Sequence, residues 1–239
     1  MTEKEIVSVT IDGKQIKAAK DSNLLRVALD NNILIPNLCY HRKLSPTGAC
    51  RLCLVKINGS KNMVTSCSVK ISDGMQVVAF DEEIENTRKY LLDYLISEHN
   101  EAYDNTYSDE LREFLVRYNL DNPENRRFPS VWQLYNYPVD DSSPVLTYDA
   151  SKCIKCFRCV KACDEVQGKN ILSLTDRGIS SYIIGGFGVW GKSECDGCGE
   201  CIQLCPTGAI VEKPHRNEIN IEKIDKKVQT TCPYCGVGC

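Results

Sequence analysis

The chain has 239 residues, 29 Lys and Arg against 32 Asp and Glu, a net charge of -3 at pH 7, and 15 cysteines. Near-neutrality gives no basic footprint for nucleic acid, and no apolar run approaches the roughly 20 residues of a membrane span, so direct membrane insertion is not expected. The opening Met-Thr-Glu-Lys-Glu lacks a secretory pattern, which predicts a cytoplasmic protein; in that reducing compartment an odd, clustered set of cysteines points to metal rather than disulfides.

In chain order, Glu5 to Ile11 largely alternates apolar and polar residues, Asp12-Gly13 is a hairpin turn, and Gln15-Ile-Lys-Ala resumes the extended pattern. Asp21 or Ser22 is expected to cap a short helix carrying Leu24, Leu25, Val27, Ala28 and Leu29, ended by Asn31-Asn32. Cys39, Cys50, Cys53 and Cys67 follow in the spacing C-x10-C-x2-C-x13-C, a long loop, a close pair and a remote fourth ligand suited to a [2Fe-2S] cluster. Gly48 lets the backbone approach the inorganic sulfides. Strands are expected at Leu52 to Ile57 and Asn62 to Thr65 around the Asn58-Gly59 turn. A four-thiolate zinc loop is the rival reading, but zinc sites usually show two close pairs. His41, inside the loop, is read as a solvated residue because four cysteines already satisfy two irons.

Ile35-Pro-Asn-Leu-Cys39 and Gly48-Ala-Cys-Arg-Leu-Cys-Leu-Val55 resemble the N-terminal [2Fe-2S] region of the large iron-sulfur subunit of respiratory complex I and of NAD-linked hydrogenases and formate dehydrogenases. The resemblance implies a β-grasp fold for this part. In that family the next segment commonly carries a histidine and three cysteines spaced H-x3-C-x2-C-x5-C. Here Leu91-Leu92 and His99 match, while Tyr103, Thr106 and Arg112 stand at the cysteine positions. One imidazole cannot hold a cubane, so that cluster is expected to be absent and His99 to be a surface or helix-end histidine. The segment from Asp81 to about Tyr118 reads helical, with a break near Asn100 to Thr106, and Asp121 to Pro144 reads as an irregular connector in which Trp132, Tyr135 and Tyr137 pack.

Two matching runs then follow, Cys153, Cys156, Cys159, Cys163 and Cys195, Cys198, Cys201, Cys205, each C-x2-C-x2-C-x3-C. Three cysteines of such a run curl around one face of a [4Fe-4S] cube, and the fourth, expected at the start of a helix, serves the other cube. By that rule Cys153, Cys156, Cys159 and Cys205 form one set and Cys195, Cys198, Cys201 and Cys163 the other. A hairpin is expected over Ile171 to Ile184. Gly186, Gly188 and Gly191 fit G-x-G-x-x-G, but Lys192-Ser-Glu-Cys195 enters the second run where a phosphate-binding helix should begin, so a flexible loop is expected instead. His215 is read as a solvated loop residue, and Glu218 to Glu222 as one more strand. The chain ends in Cys232, Cys235 and Cys239, which resembles the opening of the molybdenum- or tungsten-pterin subunit of formate dehydrogenases, where a further cysteine completes a [4Fe-4S] cluster.

The expected architecture is α+β: a β-grasp [2Fe-2S] ferredoxin domain (1–78), a helical connector with the degenerate one-His, three-Cys site (79–148), a two-cluster [4Fe-4S] ferredoxin domain (149–216), and a tail with a partial [4Fe-4S] motif (217–239). No catalytic residue and no organic-cofactor site is expected. The family resemblance implies an electron-transfer subunit of an NAD(P)-linked oxidoreductase of formate dehydrogenase or hydrogenase type. Its implied partners are a flavoprotein NAD(P)-binding subunit, a catalytic molybdenum/tungsten-pterin or hydrogenase subunit, and ferredoxin. The alternative is a non-enzymatic iron-sulfur assembly or redox-sensing protein.

Overall fold

The computed structural model describes residues 5–100, 110–213, 226 and 228–231. Strands β1 (Ile6–Ile11) and β2 (Lys14–Ala19) pair antiparallel from Ile6↔Ala19 to Ile11↔Lys14 across a turn whose Asp12 and Gly13 both take positive φ. Alternation puts Val7, Val9 and Ile11 in the core. Helix α1 (Leu24–Asp30) is capped by Asn23, not by Asp21 or Ser22: Asn23 Oδ1 accepts from Arg26 N at 3.0 Å, and its Nδ2 donates to the Cys67 carbonyl at 2.5 Å. The second bond explains the shift, because the cap residue also ties the helix to the last cysteine of the first set.

Strands β3 (Leu54–Ile57), β4 (Val64–Thr65) and β5 (Met75–Val78) complete a mixed sheet of order β2-β1-β5-β3-β4. Central β5 runs parallel to β1 and antiparallel to β3. It escaped sequence reading because Met75-Gln-Val-Val is short and only Val77 of its four residues is buried. The sheet and α1 enclose Leu24, Leu25, Val55, Ile71 and Val77, each buried side chain contributing roughly 1.5–3 kcal/mol.

Asp81 caps α2 (Glu82–Ser97), accepting from Ile84 N at 2.8 Å, and Glu82, Glu83 and Glu85 complement the dipole of its first turn. Its apolar face and that of α3 (Glu110–Arg117) bury Leu92, Ile96, Leu111 and Leu115 around Leu38 and Leu52. Irregular chain with turns at Pro123–Asn125 and Trp132–Leu134 follows; Tyr137 packs there, its hydroxyl donating to the Ile179 carbonyl at 3.0 Å.

β6 (Val139–Asp140), β7 (Leu146–Asp149) and β10 (Ile210–Glu212) form an antiparallel sheet of order β10-β7-β6. Between β7 and β10 the chain makes α4 (Arg158–Lys161), a π turn at Ala162–Val166, the β8 (Leu172–Thr175) and β9 (Tyr182–Gly185) hairpin, and α5 (Glu200–Leu204). Neither fourth cysteine starts a helix. Cys163 lies in the π turn and Cys205 is the C-cap of α5, where Pro206 disfavours continued helix.

The N-terminal and C-terminal halves interlock. Leu44 packs with Ala162 and Leu204, Lys43 pairs with Glu200 at 3.1 Å, and Glu165 accepts from Ser45 N at 2.6 Å while Lys161 donates to the Ser45 carbonyl at 2.9 Å. Among the described residues no helix is long and apolar enough to cross a membrane.

Candidate metal centres

The cysteines of the first set gather between α1, the loop before β3 and the turn after β4. Cys39, Cys53 and Cys67 are buried and Cys50 is half-buried. The thiols touch one another: hydrogen bonds from Cys50 and then Cys67 hold Cys39 well below the ordinary thiol range, and the same contacts push Cys50 and Cys67 up. Cys53, hydrogen-bonded to Cys67, is lowered to about 7. Leu38 N–H donates to Cys50 Sγ at 3.4 Å, and Ser68 Oγ lies 3.6 Å from Cys67 Sγ. His41 is half-buried, not fully solvated, and its loop packs on the C-terminal half; burial lowers its pKa, with Arg158 and Lys43 adding to the effect.

In the C-terminal half, Cys153, Cys156, Cys159 and Cys205 line one cavity with Tyr148, Ile154 and Ile183, and Cys163, Cys195, Cys198 and Cys201 line a second with Trp190, Leu172 and Ile171. The grouping across the two runs follows from the backbone. Lys155 and Phe157 have positive φ, as do Gly197 and Gly199 at the matching places, so both runs turn with one geometry around their own cavity. The helical turn after the third cysteine then carries the fourth away to the other cavity.

Burial raises the thiols of Cys153, Cys156 and Cys159, and that of Cys201 to about 12. Thiolates in such walls need cationic compensation, so loading iron releases protons. Donors are already in place: Lys155 N–H to Cys153 Sγ at 3.4 Å, Ile171 N–H to Cys163 Sγ at 3.3 Å, and the Tyr148 hydroxyl to Cys153. Among the described residues no three His, Cys, Asp or Glu side chains converge tightly enough for one bare ion. Rings of thiols around a space suit a polynuclear cluster, and on that ground the residues fit iron-sulfur groups.

Tyr148 and Trp190, one from each cavity wall, stack at 5.5 Å with 6° between their planes. Packing against Trp190 and Ser142 accounts for two of the glycines around this turn. A Cβ on Gly185 would meet Trp190 Cα at 2.8 Å, one on Gly191 would meet the Ser142 carbonyl oxygen at 2.2 Å, and one on Gly188 would meet nothing within 4 Å. A packed 3-10 turn at Trp190–Lys192 stands where a phosphate-binding helix would begin. Gly185→Ala is therefore expected to destabilise the protein by about 1–3 kcal/mol through overpacking, and Gly188→Ala to be tolerated, as read by paired denaturant titrations. A phosphate-cradling loop would be sensitive at Gly188.

His99 follows α2, as a helix-end residue should, but it is 1% exposed and faces the Lys152 backbone, which corrects the surface alternative. The next residue, Asn100, donates from N to the Ser151 carbonyl at 2.8 Å, fastening this corner to the first cysteine run. Burial pushes the His99 pKa down to about 4, against an unfolded value of 6.5. The unfolded chain takes up the proton first, so this contribution to stability is complete above pH 6.5 and is lost as pH falls toward 4, by about 3 kcal/mol at most. Denaturation of the wild type against His99→Leu should give a difference that shrinks below pH 6.5; a difference independent of pH would contradict it. Arg112 lies on α3, and Tyr103, Thr106, His215, the strand expected at Glu218 to Glu222, and Cys232, Cys235 and Cys239 lie outside the described residues.

Three thiol sets on a β-grasp sheet and a paired-run hairpin module define an iron-sulfur protein of the ferredoxin type. Residues 4–81 match the 2Fe-2S iron-sulfur cluster binding domain family, and residues 143–211 match the ferredoxin-like domain of NADH-quinone oxidoreductase subunit 3. The chain is 32% identical to the gamma subunit of the NAD-reducing hydrogenase HoxS of Cupriavidus necator over 212 residues, 87% of each chain. It is also 31% identical to the alpha subunit of the NADPH-Fe(3+) oxidoreductase of Geobacter sulfurreducens, over 98% of this chain but 27% of that protein. A crystal structure of an NAD+-reducing [NiFe]-hydrogenase in the H2-reduced state contains a chain that superposes with a TM-score of 0.76 at 28% identity, covering 87% of both chains. The chain belongs to the family of iron-sulfur, electron-transferring subunits of NAD(P)-linked hydrogenases, complex I and related oxidoreductases. It spans about a quarter of the length of the longer relatives, among them the Geobacter protein at 27%.

Proposed function

We propose that this chain is a cytoplasmic electron relay, with the domains 1–78, 79–148, 149–216 and 217–239. It works between a flavoprotein that handles NAD(P) and a catalytic pterin-type, formate-oxidising or hydrogen-oxidising partner, with ferredoxin as a further exchange partner. Cys39, Cys50, Cys53 and Cys67 would hold one [2Fe-2S] cluster, Cys153, Cys156, Cys159 and Cys205 one [4Fe-4S] cluster, and Cys163, Cys195, Cys198 and Cys201 a second. The observation that carries this reading is the lining of the two cavities, each with three cysteines from one run and the fourth from the other. When bound, each cluster takes up and gives away one electron and makes no bond to a substrate.

The chain's own residues do the rest. Leu38, Lys155 and Ile171 present N–H groups to cysteine sulfurs, which favours the more negative, reduced state. The walls of Tyr148, Ile183 and Trp190 keep water from the thiolates. The Lys43–Glu200 pair and the Ser45–Glu165 contact fix the spacing between the halves. Cys198 is the exposed member of its set, so the second cavity offers the edge that a partner can approach.

Anaerobic iron and acid-labile sulfide analysis should return about ten irons per chain, or about fourteen if Cys232, Cys235 and Cys239 complete a further [4Fe-4S] cluster. Bleaching of the visible absorption by NAD(P)H is expected only when the flavoprotein is added. A colourless, zinc-loaded protein, or direct reduction by NAD(P)H without a flavoprotein, would sink the proposal.

A further inference from the structure

Arg158 lies inside the first cysteine run, between Cys156 and Cys159, and is only 3% exposed. Its terminal nitrogens donate to both carboxylate oxygens of Glu110 at 2.7 and 2.9 Å, joining α4 to the start of α3. Its third donor, Nε, is buried with no acceptor among the described residues. Its charge acts on Cys156 of the first C-terminal set and on Cys50 of the N-terminal set. Cys50 and Ile154, which sits between Cys153 and Cys156, pack against one apolar cluster that includes Leu111, the neighbour of the Glu110 that holds the guanidinium.

A guanidinium stays charged at any ordinary pH. The Glu110 side chain of the pair is 41% exposed and the Arg158 side chain 4%, so solvent screens the carboxylate more than the cation. A net positive field therefore remains on the buried side, where a reduced cluster would carry its extra electron. From this geometry, and resting on the ligand sets proposed above, we infer that Arg158 is a positioning residue that raises the reduction potentials of two clusters together, one in each half of the chain. Glu110 trims that field. The exchange step between the two halves then keeps a small driving force even though the absolute potentials move, because one charge serves both ends.

The test is an anaerobic redox titration of the full chain followed by electron paramagnetic resonance, on the wild type, Arg158→Gln, Arg158→Lys and Glu110→Gln. Arg158→Gln should lower both midpoints, Glu110→Gln should raise both, and Arg158→Lys should stay near the wild type, with line shapes retained. A merely structural role would not give shifts of opposite sign. Should Arg158→Gln fail to load clusters, the Glu110→Gln and Arg158→Lys pair still decides. Unmoved midpoints, a shift confined to one cluster, or shifts of the same sign in Arg158→Gln and Glu110→Gln would overturn the inference while leaving the ligand sets standing. Absence of both signals from the wild type would overturn the ligand sets and the inference with them.

Discussion

Cys205→Ala is expected to empty the site built by the first cysteine run, although Cys205 belongs to the second. Iron should fall from about ten to about six per chain, and the remaining signals should match those of Cys153→Ala. Cys163→Ala should by the same logic resemble Cys195→Ala, not Cys153→Ala. The reason is the cavity walls: Cys205 faces Cys153, Cys156 and Cys159, and Cys163 faces Cys195, Cys198 and Cys201. An open corner on a cubane invites loss of iron, and with it the metal's contribution to folding. Electron throughput from NAD(P)H, measured with the flavoprotein present, should collapse in both variants. Spectra of Cys205→Ala that resemble Cys195→Ala would show that each run keeps its own fourth ligand.

The second large effect is expected at Arg88. This α2 side chain is fully buried; its Nε donates to the Leu52 carbonyl at 2.9 Å and one terminal nitrogen to the Leu54 carbonyl at 2.7 Å, while the other pairs with Glu85 at 2.5 Å. Its guanidinium also lies 5.1 Å from the centre of the Phe80 ring. Leu52 and Leu54 flank Cys53, so the same side chain clamps the helix to the first cysteine set. Arg88→Ala would leave two buried carbonyls without their donor and Glu85 with only the more distant Arg117, 4.0 Å away, as its cation, a loss of about 3–5 kcal/mol. Glu85→Gln, at the partly exposed end of the pair, should cost about 1 kcal/mol or less. Urea titration measures both, and equal effects in the two variants would contradict the clamp.

Some of this was legible from local signals. The hairpin of β1 and β2 announces itself by alternation and Asp12-Gly13, and the two cysteine runs by their repeated spacing, because both signals lie within a few residues. Strand β5 was not, since Met75–Val78 earns its place by pairing with β1, more than sixty residues earlier. Asn23 displaced the neighbouring candidates as helix cap because it also bonds Cys67. His99 reads as an isolated polar residue at a helix end, and only the approach of Lys152 buries it. Arg158 carried no motif at all. The signal that could have singled it out is a charged residue within a run whose flanking positions are destined for burial.

By itself, then, the sequence determined which thiols exist and in what spacing. Those properties are local, set by side-chain identity and by a few intervening residues. Tertiary structure alone decided that Gly191 is small because the Ser142 carbonyl lies against it, and that Arg158 is buried against Glu110 of α3. These depend on distances between segments far apart in the chain, and such distances are set by how the halves pack, which no local pattern encodes.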